Sequence, residues 1–293
     1  MIEIKKLPHS TVEIRGEIAT DFFESFRTEA LTALGQEVKL PGFRPGHIPN
    51  EVLTREIGEE TVLRRMAELA LNRYYPTMLS ENKIDALGRP SISITKIASG
   101  NPLGFIITTA VHPKVSLPDY RALAREVVKV KPSEDKKGSP SPEGEPLTST
   151  RDKHRLGMID KILATTPIEL PPILIESELE TMIAEMRHEV SRLGLPFDKY
   201  LEHLKKTEAD LNREWQSQAE RRVKTGLILA AIAKAEKIEA PPAELETELK
   251  HLLEQHPQSA SWRTDRARAY LAGLIINERV FKLLETGEQK GPS

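Results

Sequence analysis

The sequence predicts an α+β N-terminal module followed by an all-α, elongated C-terminal domain with helical arms. Three observations carry this. Short runs alternating apolar and polar residues open and close the first 115 residues and enclose helical patterns. Aromatic residues make up only 5% of the chain, and the abundance of Ala, Leu, Glu, Lys and Arg suits helices better than a β-sandwich. A helical segment also recurs: IELPP at 168–172 precedes ILIESEL, and IEAPP at 238–242 precedes AELETEL.

In the N-terminal module, 2–6 (IEIKK) and 11–19 (TVEIRGEIA) alternate as half-buried strands do. A helix follows, with Thr20 as N-cap, Phe23, Phe26, Ala30 and Leu34 on one face, and Gly35 as its stop. Pro49 opens a second helix that ends near Gly58, and a longer helix begins at Glu59. Residues 90–99 and 102–113 read as paired strands joined around Gly100 and Asn101.

The stretch 131–150 (KPSEDKKGSPSPEGEPLTST) holds twelve Pro, Gly, Ser or Thr residues and seven charges. It has too little apolar surface to offset its ordering entropy, so it reads as a solvated linker. The expected domains are therefore 1–130, 131–150 and 151–293. In each copy of the repeat the Pro pair ends one helix and starts another, giving two helix–turn–helix arms. Ile175, Leu179, Met182, Met186, Val190 and Leu193 form one apolar stripe. Thr207 with Asp210 makes a capping-box start for a helix reaching about Lys237, and Leu211, Trp215, Ala219, Val223 and Leu227 continue its apolar face.

Composition excludes several functions. The net charge is −2, with +2 on residues 1–131 and −4 on the rest, so no bulk basic field points to nucleic acid. There are no cysteines, which removes disulfides, thiolate metal sites and cysteine nucleophiles. The N-terminus lacks a secretory apolar core, and no stretch approaches 18 apolar residues, so a cytoplasmic protein with no membrane partner is expected. The eight His residues show no HExxH spacing, and neither a GxSxG elbow nor a P-loop is present. No catalytic residue, metal ligand or cofactor is assigned.

The densest local signal is PGFRPGHIP at 41–49. Its prolines reduce the freedom of the chain before any binding, and Gly42 and Gly46 permit backbone conformations closed to other residues. Two readings fit. In one it is an ordinary turn, with Phe43 tucked under it and Arg44 solvated. In the other Phe43 is an anchor and Arg44 makes a forked contact with a carboxylate or phosphate. The helical stripes carry the same ambiguity, between a plain bundle core and faces left open to other chains.

The residues 42–49 resemble the ribosome-docking signature of the trigger factor family, whose usual pattern is Gly-Phe-Arg-x-Gly-Lys-x-Pro. Gly42, Phe43, Arg44, Gly46 and Pro49 match, and His47 stands where Lys is usual. The stretches 197–215 (FDKYLEHLKKTEADLNREW) and 220–239 (ERRVKTGLILAAIAKAEKIE) are similar to the family's C-terminal domain. The resemblance implies an ATP-independent chaperone that docks on the large ribosomal subunit near the exit tunnel, against protein and rRNA. Gly42, Phe43, Arg44, Pro45, Gly46 and His47 would dock, and unfolded nascent polypeptides would be shielded during folding and export. Ile175, Leu179, Met182, Met186 and Trp215 are the client-facing candidates; a homodimer is left open. Family members carry a prolyl isomerase domain between the two matching parts. Here the polar linker leaves no room for one, so isomerase activity is not expected. A ribosome-bound assembly factor without clients is the remaining alternative.

Overall fold

The computed structural model describes residues 2–129, 150–255 and 264–286. All of the expected linker except Thr150 lies outside the described residues. The chain divides into two units, Met1–Pro113 with Pro171–Ile173, and Lys114–Leu170 with Leu174–Ser293. The first is an antiparallel sheet with helices, and the second is helical.

In the first unit, strands β1 (Ile2–Leu7), β2 (Thr11–Ile18), β3 (Ala86–Lys96) and β4 (Leu103–Val111) form a sheet in the order β1-β2-β4-β3. Register places Ile4, Ile14, Ile107 and Ile92 in one row across it. The central pair, Ile14 and Ile107, is fully buried. Helices α1 (Thr20–Glu24), α2 (Arg27–Glu37), α3 (Asn50–Ile57) and α4 (Glu59–Glu81) complete the unit. The core they share with the sheet includes Phe23, Leu53, Met66, Met78 and Phe105. Helix α4 buries Val62, Leu63, Met66, Ala67, Ala70 and Leu71, the three- and four-residue spacing of a helix face turned to a core.

The single helix expected from residue 20 is two. It breaks at Ser25 and Phe26, where the Ser25 hydroxyl donates to the Phe22 carbonyl at 2.7 Å. Thr20 is the first helical residue and Ala19 occupies the cap position. Nor is Gly35 a stop. It lies inside α2 and is buried, and a Cβ there would stand 3.5 Å from Leu53 Cδ2. That is an ordinary contact distance, so the residue continues the helix beside α3 rather than making a left-handed turn. Two arginines hold α2 to α4. Arg27 grips Glu59 through two hydrogen bonds of 2.6 and 2.7 Å, and holds that carboxyl below its usual range. Arg65 reaches Glu68 at 2.8 Å and Glu37, the last residue of α2, at 3.1 Å.

The second unit contains α5 (Tyr120–Lys129), α6 (Thr150–Thr165), most of α7 (Pro172–Arg192), α8 (Phe197–Leu204), α9 (Glu208–Ala235), α10 (Pro242–Gln255) and α11 (Asp265–Thr286). The repeated Pro pairs place Pro172 and Pro242 at the first positions of α7 and α10, where a missing N–H costs nothing. The capping box forms as its spacing predicts. The Asp210 N–H donates to the Thr207 hydroxyl at 3.2 Å, and Asp210 accepts from the Thr207 N–H at 3.0 Å. The 28 residues of α9 extend about 42 Å.

Helix α5 has no counterpart among the expected elements, and it belongs with the helical unit rather than with 1–113. Its Tyr120, Leu123, Ala124 and Val127 join Met158, Ile162, Ile228, Ile232 and Val280 in the main helical core. Polar contacts fix its start: Tyr120 donates to Glu236 at 2.5 Å, and Arg121 donates to the same oxygen at 2.6 Å. These donors hold the Glu236 carboxyl below its usual range, Arg121 foremost. A carboxyl with a depressed folded pKa stabilises above its unfolded value, and that contribution disappears as pH falls through the folded one. Acidification below about pH 4.3 is therefore expected to weaken the α5–α9 clamp by about 1 kcal/mol. Denaturant titrations at pH 7 and pH 3.5 check this, since Glu236→Gln should remove part of the difference.

Candidate functional site

The loop between α2 and α3 is built from two anchors and two turns. Leu40 packs against the core of the first unit, and Ile48 is buried in it. The seven residues between them, Pro41 to His47, are all exposed. Two consecutive Pro-Gly turns shape that span. The Phe43 N–H donates to the Leu40 carbonyl at 3.2 Å, across Pro41 and Gly42. The His47 N–H donates to the Arg44 carbonyl at 3.0 Å, across Pro45 and Gly46. Gly42 and Gly46 have φ of 84° and 80°. Proline followed by a positive-φ glycine is the type II turn arrangement, and a Cβ at either glycine would be strained. A further bond ties the loop to its base, from the Gly46 N–H to the Gly35 carbonyl of α2 at 2.8 Å.

The result is a stiff projection with Phe43 and Arg44 between the two turns. Phe43 is 40% exposed, so the core of its own unit does not take up its ring. Arg44 is exposed, and among the described residues it makes no ion pair. Glu37, which precedes the loop at the end of α2, is engaged by Arg65. Pro45 and His47 complete the exposed span. An aromatic ring and a free guanidinium on a backbone with little freedom suit a contact that loses little entropy on forming.

The helical candidates sit differently. Met182 is buried at 6% exposure. Ile175 packs against the main helical core, and Leu179 is half-buried. Met186 and Trp215 pack against a smaller cluster of Ile183, Val190, Phe197, Leu201 and Leu211. That cluster closes only once α8 and α9 are in place, which no periodicity in α7 discloses. The exposed apolar side chains of the helical unit are others: Leu193 at 84%, Tyr270 at 59%, and Leu204 and Leu274. Leu193 ends the sequence stripe, and Leu204, Tyr270 and Leu274 were missed because spacing alone does not say which apolar side chains of a helix stay open. No helix among the described residues is long and apolar enough to cross a membrane.

An α+β unit bearing a Pro-Gly-turned loop, in one chain with a unit of long helices, defines a two-part architecture. A family model described as "Bacterial trigger factor protein (TF)" matches residues 1–137. A second, "Bacterial trigger factor protein (TF) C-terminus", matches residues 143–284. The chain belongs to the trigger factor family. It is similar to the trigger factor of Mycobacterium bovis, 35% identical over 132 residues, which are 45% of this chain and 28% of the relative. It is also similar to that of Rhodococcus opacus, 34% identical over 121 residues, or 41% of this chain and 26% of the relative. The match thus spans about a quarter of the length of these curated relatives. A solved structure from work on promiscuous substrate recognition by the trigger factor chaperone aligns over 97% of this chain and 99% of its own, with TM-score 0.58. Its 14% identity makes this a likeness of fold.

Proposed function

We propose that the chain is an ATP-independent holdase of the cytoplasm. It docks on the large ribosomal subunit near the exit tunnel and shields unfolded nascent chains during folding and export. The observation that carries the docking half is the loop: Phe43 and Arg44 exposed on a doubly turned, doubly anchored backbone. In this reading Gly42, Pro45 and Gly46 set the loop's shape, and His47 borders the contact. Residues 1–130 serve docking, 131–150 link, and 151–293 hold clients, with α5 packed into the holding part. The half-buried Ile175, Leu179, Met186 and Trp215 form the rim of the client surface, supported from beneath by Met182. Leu193, Leu204, Tyr270 and Leu274 supply its most accessible apolar area. Scattered patches of this kind suit weak, multivalent binding without sequence preference.

Only 138–142 separate the two family matches, too few residues to build a catalytic pocket, so prolyl isomerase activity is the weaker reading. Two assays on the intact chain decide among the readings. A holdase suppresses aggregation of a chemically denatured protein at near-stoichiometric ratios and leaves a proline-limited refolding phase unaccelerated. Acceleration would favour the isomerase, and absence of suppression would favour an assembly factor. His47 stands where the family pattern has Lys, which would add a full positive charge to the exposed span. His47→Lys is therefore expected to tighten ribosome co-sedimentation a few-fold at pH 7.5; equal or weaker pelleting would count against a cationic contact there.

A further inference from the structure

Strand β1 is an edge of the sheet and pairs with β2 alone among the described strands. Its pairing is unbroken from Ile2 opposite Gly16 to Leu7 opposite Thr11, and no proline lies inside it. Glu3, Ile4, Lys5 and Lys6 are all exposed. Ile4 stands in one row with Ile14 and Ile107, which are fully buried, yet it is itself 41% exposed. The apolar face of the sheet therefore reaches this margin uncovered. A regular edge with apolar surface is a template for another strand.

Charge selects the strand. Glu3 lies opposite Arg15 and Lys5 opposite Glu13, so sign alternates both along and across the two strands. Arg15 turns to Glu13 of its own strand at 2.8 Å, and neither Glu3 nor Lys5 makes an ion pair among the described residues. An antiparallel newcomer continues the pattern if it sets Glu opposite Lys5, an apolar residue opposite Ile4, and Lys opposite Glu3. Read from its own N-terminus, that strand is Glu, apolar, Lys. Strand β1 is itself such a sequence, Glu3-Ile4-Lys5. Two copies laid antiparallel about Ile4 place Glu3 against Lys5 twice and Ile4 against Ile4. Each charged row then runs Arg15, Glu3, Lys5, Glu13, with alternating sign across both copies. Lys6 falls opposite Ile2, where its aliphatic stem covers apolar surface. Sliding one copy by two residues sets Glu3 against Glu3 or Lys5 against Lys5, which is unfavourable. Sliding it by one turns its apolar face to the other side of the sheet.

We propose that the outer edge of β1 takes a second copy of this chain, joining the two four-stranded sheets across a two-fold axis at Ile4. The inference does not depend on the holdase reading. A contact one strand wide on each side is small for a specific interface, so the dimer dissociates on the order of micromolar concentrations. Sedimentation equilibrium of the full chain at low salt tests it. The wild type should show a reversible monomer–dimer equilibrium. Glu3→Lys alone, or Lys5→Glu alone, sets like charges opposite at both positions and should weaken association about tenfold or more. Mixed in equal amounts, the two variants bring opposite charges together at both positions and should associate about as tightly as the wild type. A second measurement is independent of charge and of how well those variants fold. The chain has no cysteine, so Ile4→Cys carries a single thiol, which a short bismaleimide should link to its copy. Ile94→Cys, equally exposed on β3, should not be linked. A wild-type chain that stays monomeric to about 100 µM, a mixture no tighter than either variant, or no linkage through Ile4→Cys would overturn the dimer edge. Linkage of Ile4→Cys to an added unfolded protein alone would overturn it too, and give the edge to clients.

Discussion

Ala124→Asp is expected to unfold the helical unit of the chain. Ala124 is fully buried on α5, in a core shared with α6, α9 and α11. The fit there is close: a Cβ on Gly157 of α6 would stand 3.1 Å from Val127 Cγ1 of α5. A carboxylate placed there would be surrounded by the apolar side chains of that core. Such a group costs several kcal/mol, about 4 here, comparable with the whole stability of many domains. Trp215 packs in the second unit, so its fluorescence, read in a Trp262→Phe background, reports on that unit. The midpoint in urea followed by that signal should fall by about 2 M, or the native signal should be absent from the start. Ala124→Ser should change it little. An unchanged fluorescence midpoint for the Asp variant would mean that α5 does not belong to this core.

That α5 escapes a reading of the sequence has a physical reason. Its last turns, REVVK, carry β-branched residues and precede a Pro-rich stretch of sequence, so local preference speaks for an extended exit. Burial against α6 overrides it. The opposite holds where local chemistry suffices. Thr207 and Asp210 satisfy orphan N–H groups of their own helix, and Pro172 and Pro242 start helices for reasons internal to the chain, so these boundaries were legible. Alternating runs disclosed all four strands, although not how far β3 extends toward Ala86. Gly35 shows the limit of a rule about glycine: near a helix end it reads as a stop, yet the helix runs on through it to Glu37. Val190 of α7 is 4% exposed and Leu193, just past the helix end, is 84% exposed. Periodicity assigns both to one stripe, and the end of α7 and the packing of α8 separate them. The loop at 41–47 was legible as a loop from its prolines and glycines. Its anchors, Leu40 and Ile48, and its tie from Gly46 to Gly35 depend on contacts across α2 that spacing does not encode.

Removing the ring and the guanidinium together is the second large effect. Phe43 and Arg44 lie on the exposed span, outside the core, so Phe43→Ala with Arg44→Ala should leave the fold and its melting temperature almost unchanged. An aromatic anchor and an arginine at the centre of a contact are each worth about 2 kcal/mol or more when truncated. If they form that centre, the double substitution weakens docking by about a hundredfold or more. Gly42→Ala with Gly46→Ala acts on the same contact indirectly. The space beside both glycines is open, with nothing nearer than Gln36 Cγ at 3.9 Å, so any loss comes from the positive φ rather than from a clash. The most direct measurement is co-sedimentation of the wild-type chain and the Phe43→Ala, Arg44→Ala variant with large ribosomal subunits through a sucrose cushion. Suppression of aggregation in free solution is measured beside it. The variant should stay in the supernatant while suppressing aggregation as well as the wild type does; pelleting at wild-type levels would contradict the account.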